Sequence, residues 1–313
     1  MKKALPLVAL ACNPNSPSPT ASMVKVEDGF MVAFGGLFCI RVPVQQALGC
    51  AFNPSAVKTF FRKERKNVAY TVHKNKLVLK DGKETLRVGC VPAEEMVTLD
   101  VIAPVKKATL NLKLLKYLSD VIDPANVRPW AHGVNCVNGL LAATNNAVII
   151  AAYADLPAGL EFNIHKDACV ALAKFKAPVV GIASDKRATK FVFEDGSEFT
   201  VLNIAEKLPD FSSLFKRNWL PLGMSEDLIE DLMKIDCHTF LFNAGCIFYQ
   251  NEDKSSTGEL QVKLAQQFTA RTMKNTFGFI LRNGGQINVD DSGTCLQSVN
   301  EDVCVITSLM AEQ

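Results

Sequence analysis

Cysteine and histidine are the side chains through which this chain could carry covalent or acid–base chemistry. A cysteine within hydrogen-bond reach of a histidine can act as a nucleophile with its base, and Cys237 and His238 are adjacent in the sequence. On a strand, however, neighbouring side chains point to opposite faces, so these two cannot form such a pair with each other. The other histidines have no neighbouring acid or cysteine pattern; they are His73, His132 and His165. A Cys/His hydrolase therefore stays only as an alternative.

The sequence holds no pattern for a metal, a cofactor or ATP. None of its ten cysteines forms a Cys-x-x-Cys pair, which excludes a zinc ribbon and a thioredoxin-type motif. Most lie in apolar runs, as in residues 37–40 and 303–306, which is typical of reduced, buried cysteine in a cytosolic protein. The chain also lacks a Gly-x-x-x-x-Gly-Lys-Ser/Thr loop, and we interpret the acidic pairs at 94–95 and 290–291 as turn and surface acids. We predict a cytoplasmic protein that is not an enzyme and has no catalytic residue, metal or cofactor.

Phosphate binding is the other chemistry that the residue pattern allows. Four stretches with helical character together carry a formal charge of +13, which leaves −11 on the rest of a chain whose net charge is +2. They are residues 54–66, 106–118, 165–176 and 261–275. If these helices share a surface, that surface attracts phosphate backbones without base specificity. The alternative is that lysine and arginine occupy ordinary solvated helix faces, and the helix-like stretch 225–234, at −3, departs from the pattern.

An internal repeat organises these elements. A helix-like stretch followed by a strand and a hairpin occurs three times, at intervals of about 100 residues. The predicted helices are residues 55–66, 166–176 and 261–274, and the third copy continues with a predicted strand at 277–281 and a hairpin at 287–296. The first two hairpins turn on Asp81-Gly82 and Asp195-Gly196. Asp-Gly between alternating apolar residues is a strong hairpin signal, because glycine accepts a positive φ.

Each copy is preceded by a strand-rich stretch with its own turn signal. These stretches are residues 23–44, 130–153 and 238–250, and their turns are Asp28-Gly29, Asn138-Gly139 and the tripeptide 243–245. Further helices are predicted at 110–122 and 225–235, and linkers at 97–107 and 208–221. Each unit thus reads helix, strands, helix, strands. The first unit has only a truncated start at residues 2–11, which we interpret as a structural element rather than a signal peptide.

Length and composition agree with several folded domains. The chain has 313 residues, which suggests two or three domains. With 48% hydrophobic and 21% charged residues, it can form sizeable cores, and wholesale disorder, a collagen-like chain and a coiled coil are excluded. No apolar run reaches 18 residues, so no transmembrane helix and no membrane partner are predicted.

Several segments resemble, in order, those of bacterial β-type DNA sliding clamps, the processivity factors of replicative DNA polymerases. Residues 141–150, Leu-Ala-Ala-Thr-Asn-Asn-Ala-Val-Ile-Ile, resemble the Ala-Thr-Asp-Gly-His-Arg-Leu strand-turn-strand of that family. Residues 191–197 are similar to its hairpin, and Leu-Pro-Asp-Phe within 208–215 is similar to its Phe-Pro-Asp-Tyr linker. The tail 303–310 resembles the C-terminal strand that ends in Met-Pro-Met, and residues 23–29 also fit. The resemblance spans the whole chain and is most specific over 140–215.

The resemblance implies an α+β DNA clamp fold with three repeated domains. These would be residues 1–103, with the truncated N-terminal element, 104–214 and 215–313. In the family, helices line a pore and antiparallel sheets lie outside, and a head-to-tail homodimer forms a six-domain ring. Such a ring encircles double-stranded DNA, tethers a replicative DNA polymerase and is opened by an ATP-dependent clamp loader. The chain would therefore act by topology, without catalysis.

Two sets of site residues follow from the resemblance and the charge pattern. The cationic side chains expected to face DNA in the pore are Lys58, Arg62, Lys63, Lys113, Lys116, Lys174, Lys176 and Arg271. An apolar pocket between the second and third domains would accept a short peptide of a polymerase or clamp loader. Its residues would be Thr144, Asn146, Ala147, Val148, Ile149, Leu214, Phe215, Val305, Ile306 and Ser308.

The chain also departs from the family pattern. The tripeptide 146–148, Asn-Ala-Val, stands where the family has Gly-His-Arg, and the tail has no proline. The substitution predicts a less charged pocket with its own peptide preference, and the divergence suggests a phage-encoded member. Two alternatives to a dimeric ring stay open: a trimer of chains that each hold two larger clamp domains, and a non-ring processivity factor that binds DNA or other proteins.

Overall fold

The computed structural model describes residues 1–62, 68–206, 209–243, 245–251 and 257–310. The chain divides into two compact units. The first comprises Met1–Lys116 with Asp155–Ala205, and the second Tyr117–Ala154 with Glu206–Gln313. In the described part of the chain, no helix has the length and apolar character needed to cross a membrane.

The secondary structure mixes short helices with many antiparallel strands. The α-helices of the described residues are α1 (Leu5–Val8), α2 (Pro54–Arg62), α3 (Leu112–Ser119), α4 (Lys166–Leu172), α5 (Ser212–Phe215), α6 (Glu226–Lys234) and α7 (Lys274–Asn283). The strands, in chain order, are β1 (Val24–Glu27), β2 (Phe30–Phe34), β3 (Phe38–Pro43), β4 (Cys50–Phe52), β5 (Ala69–His73), β6 (Lys76–Asp81), β7 (Glu84–Pro92), β8 (Lys106–Lys107), β9 (Gly133–Val137), β10 (Leu140–Thr144), β11 (Val148–Tyr153), β12 (Phe162–His165), β13 (Val179–Ser184), β14 (Ala188–Phe193), β15 (Glu198–Leu202), β16 (Trp219–Pro221), β17 (Thr239–Asn243), β18 (Cys246–Gln250), β19 (Thr257–Gln261), β20 (Thr269–Met273), β21 (Gln286–Asp290), β22 (Cys295–Val299) and β23 (Val303–Ser308).

One sheet of eleven strands forms the frame of the first unit. Its order is β5-β6-β7-β4-β1-β2-β3-β15-β14-β13-β8. The predicted turn between β1 and β2 is confirmed: Asp28 and Gly29 have φ values of 49° and 76°, which is the conformation that two-residue hairpin turns require. At the centre, β3 pairs with β15, with Ile40 opposite Phe199. Strands that are about 160 residues apart in sequence thus continue a single sheet.

Aromatic side chains fill the core of the first unit. Phe191 and Phe199 are fully buried, and their rings meet edge to face with 6.5 Å between centroids. Phe175 follows α4 and stacks on Phe193 at 4.2 Å. Each buried phenylalanine contributes about 1.5–3 kcal/mol relative to an exposed one. Phe191 and Phe193 are two positions apart on β14, so both side chains lie on the face of the strand that carries this aromatic core.

The second unit contains two sheets. Within this unit, the strands of the larger sheet follow the order β9-β10-β11-β23-β22-β21-β16, and the smaller sheet is β19-β18-β17-β20. In the larger sheet β11 pairs with β23, with Ile149 opposite Ile306 and Ile150 opposite Val305. This junction repeats the pairing of β3 with β15 in the first unit.

The predicted elements of the third copy are wrong between residues 261 and 281. The expected helix at 261–274 is replaced by β20, and the expected strand at 277–281 is the middle of α7. Phe277, Ile280 and Leu281 recur at helical spacing and are buried, so one face of α7 covers the sheet. Phe277 contacts Phe240 and Phe242, which alternate along β17. A short apolar run does not by itself distinguish a strand from a buried helix.

Other predicted helices are confirmed with shifted ends. The stretch 110–122 contains α3 and the stretch 225–235 contains α6, whose first turn is capped by the Ser225 hydroxyl, which accepts from the Leu228 amide at 3.2 Å. The stretch 166–176 ends early, because α4 stops at Leu172. The apolar start of the chain forms α1 and a short 3-10 helix, Ala9–Ala11.

The two compact units do not follow the boundaries of the three expected domains. Residues 104–214, the expected middle domain, contribute to both units. The pairings β3–β15 and β11–β23 explain this division, because each joins residues from two expected domains into one sheet. The three-domain organisation stays a prediction about repeated elements.

All ten cysteines are free thiols.

The connection from α7 to β21 predicts a sharp difference between two adjacent glycines. Gly284 and Gly285 both have a positive φ, but a Cβ on Gly285 would lie 2.3 Å from the Val299 carbonyl oxygen, whereas one on Gly284 would have no neighbour within 4 Å. We expect Gly284→Ala to lower the free energy of unfolding by about 1–3 kcal/mol through backbone strain alone. Gly285→Ala should lower it further, because a backbone atom of β22 must move.

Urea unfolding followed by tryptophan fluorescence measures this difference. Both tryptophans, Trp130 and Trp219, belong to the second unit, so the signal reports on the unit that contains both glycines. Equal losses for the two variants would contradict the close packing of Gly285 against β22.

Candidate functional site

A cavity of about 380 Å³ lies in the second unit, beside the junction of β11 and β23. Its walls come from the hairpin β10–β11, the end of β23, the segment around α5 and the 3-10 helix Pro129–His132. Seven of the residues predicted for a peptide pocket line it. They are Thr144, Asn146, Ala147, Ile149, Leu214, Ile306 and Ser308.

Hydrogen bonds fix the tight turn at the edge of the cavity. Thr144, which is only 1% exposed, donates its hydroxyl to the Val148 carbonyl at 2.7 Å and accepts from the Asn146 amide at 3.0 Å. The Asn145 side chain accepts from the amides of Ala147 and Val148. Asn146 has φ 79°, a conformation that asparagine tolerates better than most residues. The turn therefore presents Asn146 and Ala147 to solvent on a rigid base.

Strand alternation divides the predicted pocket residues into two groups. Ile149 and Ile306 face each other across the junction and line the cavity. Val148 and Val305 are fully buried and do not line it, because neighbouring side chains of a strand point to opposite faces. Their prediction as lining residues is wrong. They belong to the core beneath the cavity.

The segment before β16 closes a second side of the cavity. Leu214 of α5 lines it together with Pro209 and Phe211, whereas Phe215 does not. Phe211 packs near Trp130, with ring centroids 6.3 Å apart. These aromatic side chains give the cavity the apolar walls that a ligand pocket typically has.

Arginine supplies the charge of the cavity. Arg128 is exposed, its guanidinium lies 5.7 Å from the centroid of Trp130, and its Nη1 donates to the Asn146 side chain at 3.5 Å. Arg217 also lines the cavity, with 35% of its side chain exposed. Both charged residues that line the cavity are therefore cationic.

A buried carboxylate holds Arg217. The Asp290 side chain is 1% exposed, and its Oδ2 accepts from Arg217 Nη1 at 2.7 Å. Oδ2 also accepts from the hydroxyls of Ser292 and Thr294, at 2.6 and 2.9 Å. Oδ1 accepts from the amides of Thr294 and Cys295, both at 2.7 Å. The expectation that the pair 290–291 is merely a turn and surface pair is thus wrong for Asp290, which organises the turn from inside.

The hydrogen bonds of this network decide the charge of Asp290. Burial would raise the pKa of the carboxyl group, but the bonds from Ser292, Cys295 and Thr294 outweigh it and hold the pKa below its usual range. Burial raises the pKa of the neighbouring Cys295 thiol, although the Arg217 charge opposes the change. The site therefore combines an ionised aspartate with a protonated thiol.

Six of the residues that line the cavity were not predicted from the sequence. They are Arg128, Trp130, Pro209, Phe211, Arg217 and Cys295. Pro209 and Phe211 belong to the linker motif that carries the resemblance, so a signal for them was present. Arg217 and Cys295 are brought together only by the fold, through the turn around Asp290.

The cations predicted to face DNA lie on different kinds of element. Lys58 is exposed on α2, and Lys113 and Lys116 are exposed on α3. Lys174 and Lys176 are exposed too, but they follow the end of α4 rather than belonging to it. Each of these five lies in the first unit.

The remaining predicted cations have a different status. The side chain of Arg62 and the whole of Lys63 fall outside the described residues. Arg271 is exposed on β20, opposite Leu241 of β17. Its expected place on a pore-lining helix is wrong, because the segment around it alternates as a strand with Ala270 and Thr272 buried.

The surroundings of Cys237 do not favour the hydrolase alternative. Cys237 and His238 precede β17, and Cys237 is 3% exposed. Burial raises the pKa of its thiol despite the nearby charge of Lys274, which disfavours the thiolate that acts as nucleophile. Within the described ranges, no group of three or more His, Cys, Asp or Glu side chains is arranged to hold a metal ion.

Neither protein-family models nor curated proteins match the sequence.

Solved structures, in contrast, match it over its full length. The DNA polymerase III β subunit of Pseudomonas aeruginosa has 17% identity and a TM-score of 0.80, over 99% of this chain and 97% of that one. The Helicobacter pylori β clamp bound to a DNA ligase peptide has 13% identity and a TM-score of 0.80 with the same coverage. The Thermotoga maritima β subunit has 13% identity and a TM-score of 0.79, over 100% of this chain and 97% of that one. The chain therefore has the α+β fold of bacterial β sliding clamps, as the resemblance in its sequence implied.

Proposed function

We propose that this protein is a sliding clamp, which encircles double-stranded DNA and tethers a replicative DNA polymerase for processive synthesis. The observation that carries the proposal is the likeness to bacterial β clamps over 99% of the chain at a TM-score of 0.80. The protein would act without catalysis, in the cytoplasm of a bacterium or of the host cell of a phage. Opening the ring would require an ATP-dependent clamp loader.

The exposed lysines of the first unit suit a sliding contact. Lysine binds phosphate as a mobile point charge, and neutralising phosphates releases counterions irrespective of base sequence. Lys58 on α2 and Lys113 and Lys116 on α3 would provide such contacts. We propose the same role for Lys174 and Lys176. Contacts of this kind carry no sequence information, so the protein can slide along the duplex.

Strand pairing suggests how two chains would close a ring. The third strand of the first strand-rich stretch, β3, pairs with β15, the last strand of the second copy. In the same way, β11 of the second stretch pairs with β23, the last strand of the third copy. In the described part of the chain, the corresponding strands without such a partner are β19 and β7. There, β19 ends its sheet, and residues 85–88 of β7 pair only with β6. In a head-to-tail homodimer, β19 of one chain would pair with β7 of the other.

The cavity beside β11 and β23 would bind the partners. Its apolar walls and exposed turn suit a short peptide with apolar anchors, and the H. pylori clamp is recorded with a DNA ligase peptide. We propose that a polymerase and a clamp loader use this cavity in turn. A non-ring processivity factor is the alternative, and it would lack the β19–β7 contact.

The mass of the protein in solution tests the ring. Light scattering over a concentration series should give the mass of two chains. Leu86→Lys on β7 or Leu260→Lys on β19 should shift the protein to the mass of one chain, because both leucines are half-buried at the unpaired edges. Val72→Lys on β5, where the valine is 40% exposed, is the matched control and should stay dimeric.

The other masses would contradict the dimer. A three-chain mass would mean that one chain holds two larger clamp domains. A single-chain mass at every concentration, with and without circular DNA, would favour the non-ring factor.

Salt dependence tests the cationic contacts. The double substitution Lys113→Glu/Lys116→Glu should weaken retention on circular DNA more at low salt than at high salt. Each lost phosphate contact should lower the slope of log K against log salt by about 0.9. The control Lys76→Glu/Lys83→Glu makes the same change of charge on exposed lysines of the hairpin β6–β7. If the control and the test variant lose equal affinity, α3 does not face DNA.

A substitution at the turn tests the cavity as the peptide site. Ala147→Phe places a large side chain in the cavity without touching the core, because Ala147 is exposed at the turn. Binding of the fluorescently labelled DNA ligase peptide should fall by about tenfold or more, as for other interface hot spots. Ala125→Phe, at an exposed position that does not line the cavity, should bind as the unsubstituted protein does. Equal binding by both variants would place the peptide elsewhere.

A further inference from the structure

The charge of the cavity is one-sided. Arg128 and Arg217 line it, and the remaining lining residues are apolar or uncharged. No carboxylate is among the lining residues that the structure describes. A ligand that only filled the apolar walls would leave Arg128 and the exposed part of Arg217 to water, whereas a ligand with a carboxylate would pair with at least one of them.

Arg217 lines the cavity and has donors that its contacts with the described residues do not use. Among the described residues it donates to Asp290, Thr294 and Cys295, in each case through Nη1. A guanidinium carries five N–H donors in a fixed plane, so Nη2 and Nε remain available to a ligand. With 35% of its side chain exposed, Arg217 meets solvent in the cavity.

Asp290 does not need Arg217 to satisfy its oxygens. Four other donors, from Ser292, Thr294 and Cys295, already reach its two oxygens. An ion pair that served only the core would bury both partners, but here the carboxylate is 1% exposed and the guanidinium 35%. The pair thus holds the arginine in one orientation, which spares a ligand part of the entropy cost of ordering a long side chain.

We infer that this cavity selects peptides that carry a carboxylate next to their apolar anchors, and that Arg217 binds the carboxylate while Asp290 acts as its positioning residue. This inference rests on the proposed function of the cavity as a peptide site and specifies the chemistry of its partner. The occupant is an acidic segment of another protein, because the charge of the cavity is complementary to it.

Paired synthetic peptides test the carboxylate on the unsubstituted protein. A set of fluorescein-labelled hexapeptide amides places one glutamate at each position among leucine and phenylalanine anchors, and each has a glutamine counterpart. At the preferred position, the glutamate peptide should bind about tenfold more tightly, the usual effect of a hydrogen bond to a charged group. Because the protein is unchanged, this measurement does not depend on how a variant folds.

Variants then assign the preference to Arg217. Arg217→Gln should reduce the tenfold ratio to about one, while the matched control Lys216→Gln should keep it, since Lys216 is exposed and does not line the cavity. Far-UV circular dichroism and thermal melts establish that each variant is folded. If Arg217→Gln does not fold, the double variant Arg217→Gln/Asp290→Asn, which removes both charges of the pair together, is measured in its place.

The variant Asp290→Asn distinguishes the positioning of Arg217 by Asp290 from the effect of the negative charge of Asp290. The asparagine oxygen can keep the amide bonds that reach Oδ1, but its amino group would face the Arg217 donor and the hydroxyls at Oδ2. If only charge mattered, loss of a negative group would raise the glutamate preference. Loss of positioning should lower it, toward the value of Arg217→Gln.

Each outcome decides the inference. A glutamate preference that Arg217→Gln abolishes and Asp290→Asn lowers supports it. Equal binding of glutamate and glutamine peptides overturns it and leaves the cavity as an apolar peptide site. A preference that survives Arg217→Gln assigns the carboxylate to Arg128 instead. If no peptide binds, both this inference and the proposed peptide site are wrong. The proposed dimeric ring is tested separately by the mass measurement.

Discussion

The pairing of β11 with β23 is the contact on which the second unit and its cavity depend. It joins residues about 150 positions apart, so its loop-closure cost must be offset by the sheet and core that it completes. Across this seam, Ile149 and Ile306 face the cavity while Ile150 and Val305 enter the core. The same backbone hydrogen bonds therefore hold the core together and set the distance between two walls of the site.

How much of this could be predicted from the sequence varied with the range of the interaction. Hairpins such as that at Asp28-Gly29 were predictable, because a two-residue turn with positive φ is a local demand. The stretch 261–281 was not, because its apolar run suits a strand and a buried helix equally until Phe277 is seen against β17. In the cavity, alternation alone could have removed Val148 and Val305. The positions of Arg217 and Cys295 in the cavity depend on a turn built around a buried carboxylate, and no local sequence pattern predicts that turn.

The proposed function requires two kinds of contact with opposite demands. DNA must be held irrespective of its sequence, which suits exposed lysines such as Lys58 on α2 and Lys113 on α3. A partner peptide must be held in one pose, which suits a rigid turn and a fixed guanidinium. Different elements would meet the two requirements. The exposed lysines lie on helices and at their ends, whereas the groups proposed to bind the peptide lie on strands and on the turns that join them.

The alternation of side chains at the seam has an evolutionary consequence. The residues that would read a partner, Ile149, Ile306 and Ser308, lie on one face of their strands, and those that keep the fold lie on the other. Mutations at the exposed lining positions Asn146, Ala147 and Ser308 can alter which partner is accepted at little cost to the core. A chain with only 13–18% identity to bacterial clamps can thus keep their architecture while the surface that we propose for partner binding changes together with its partners.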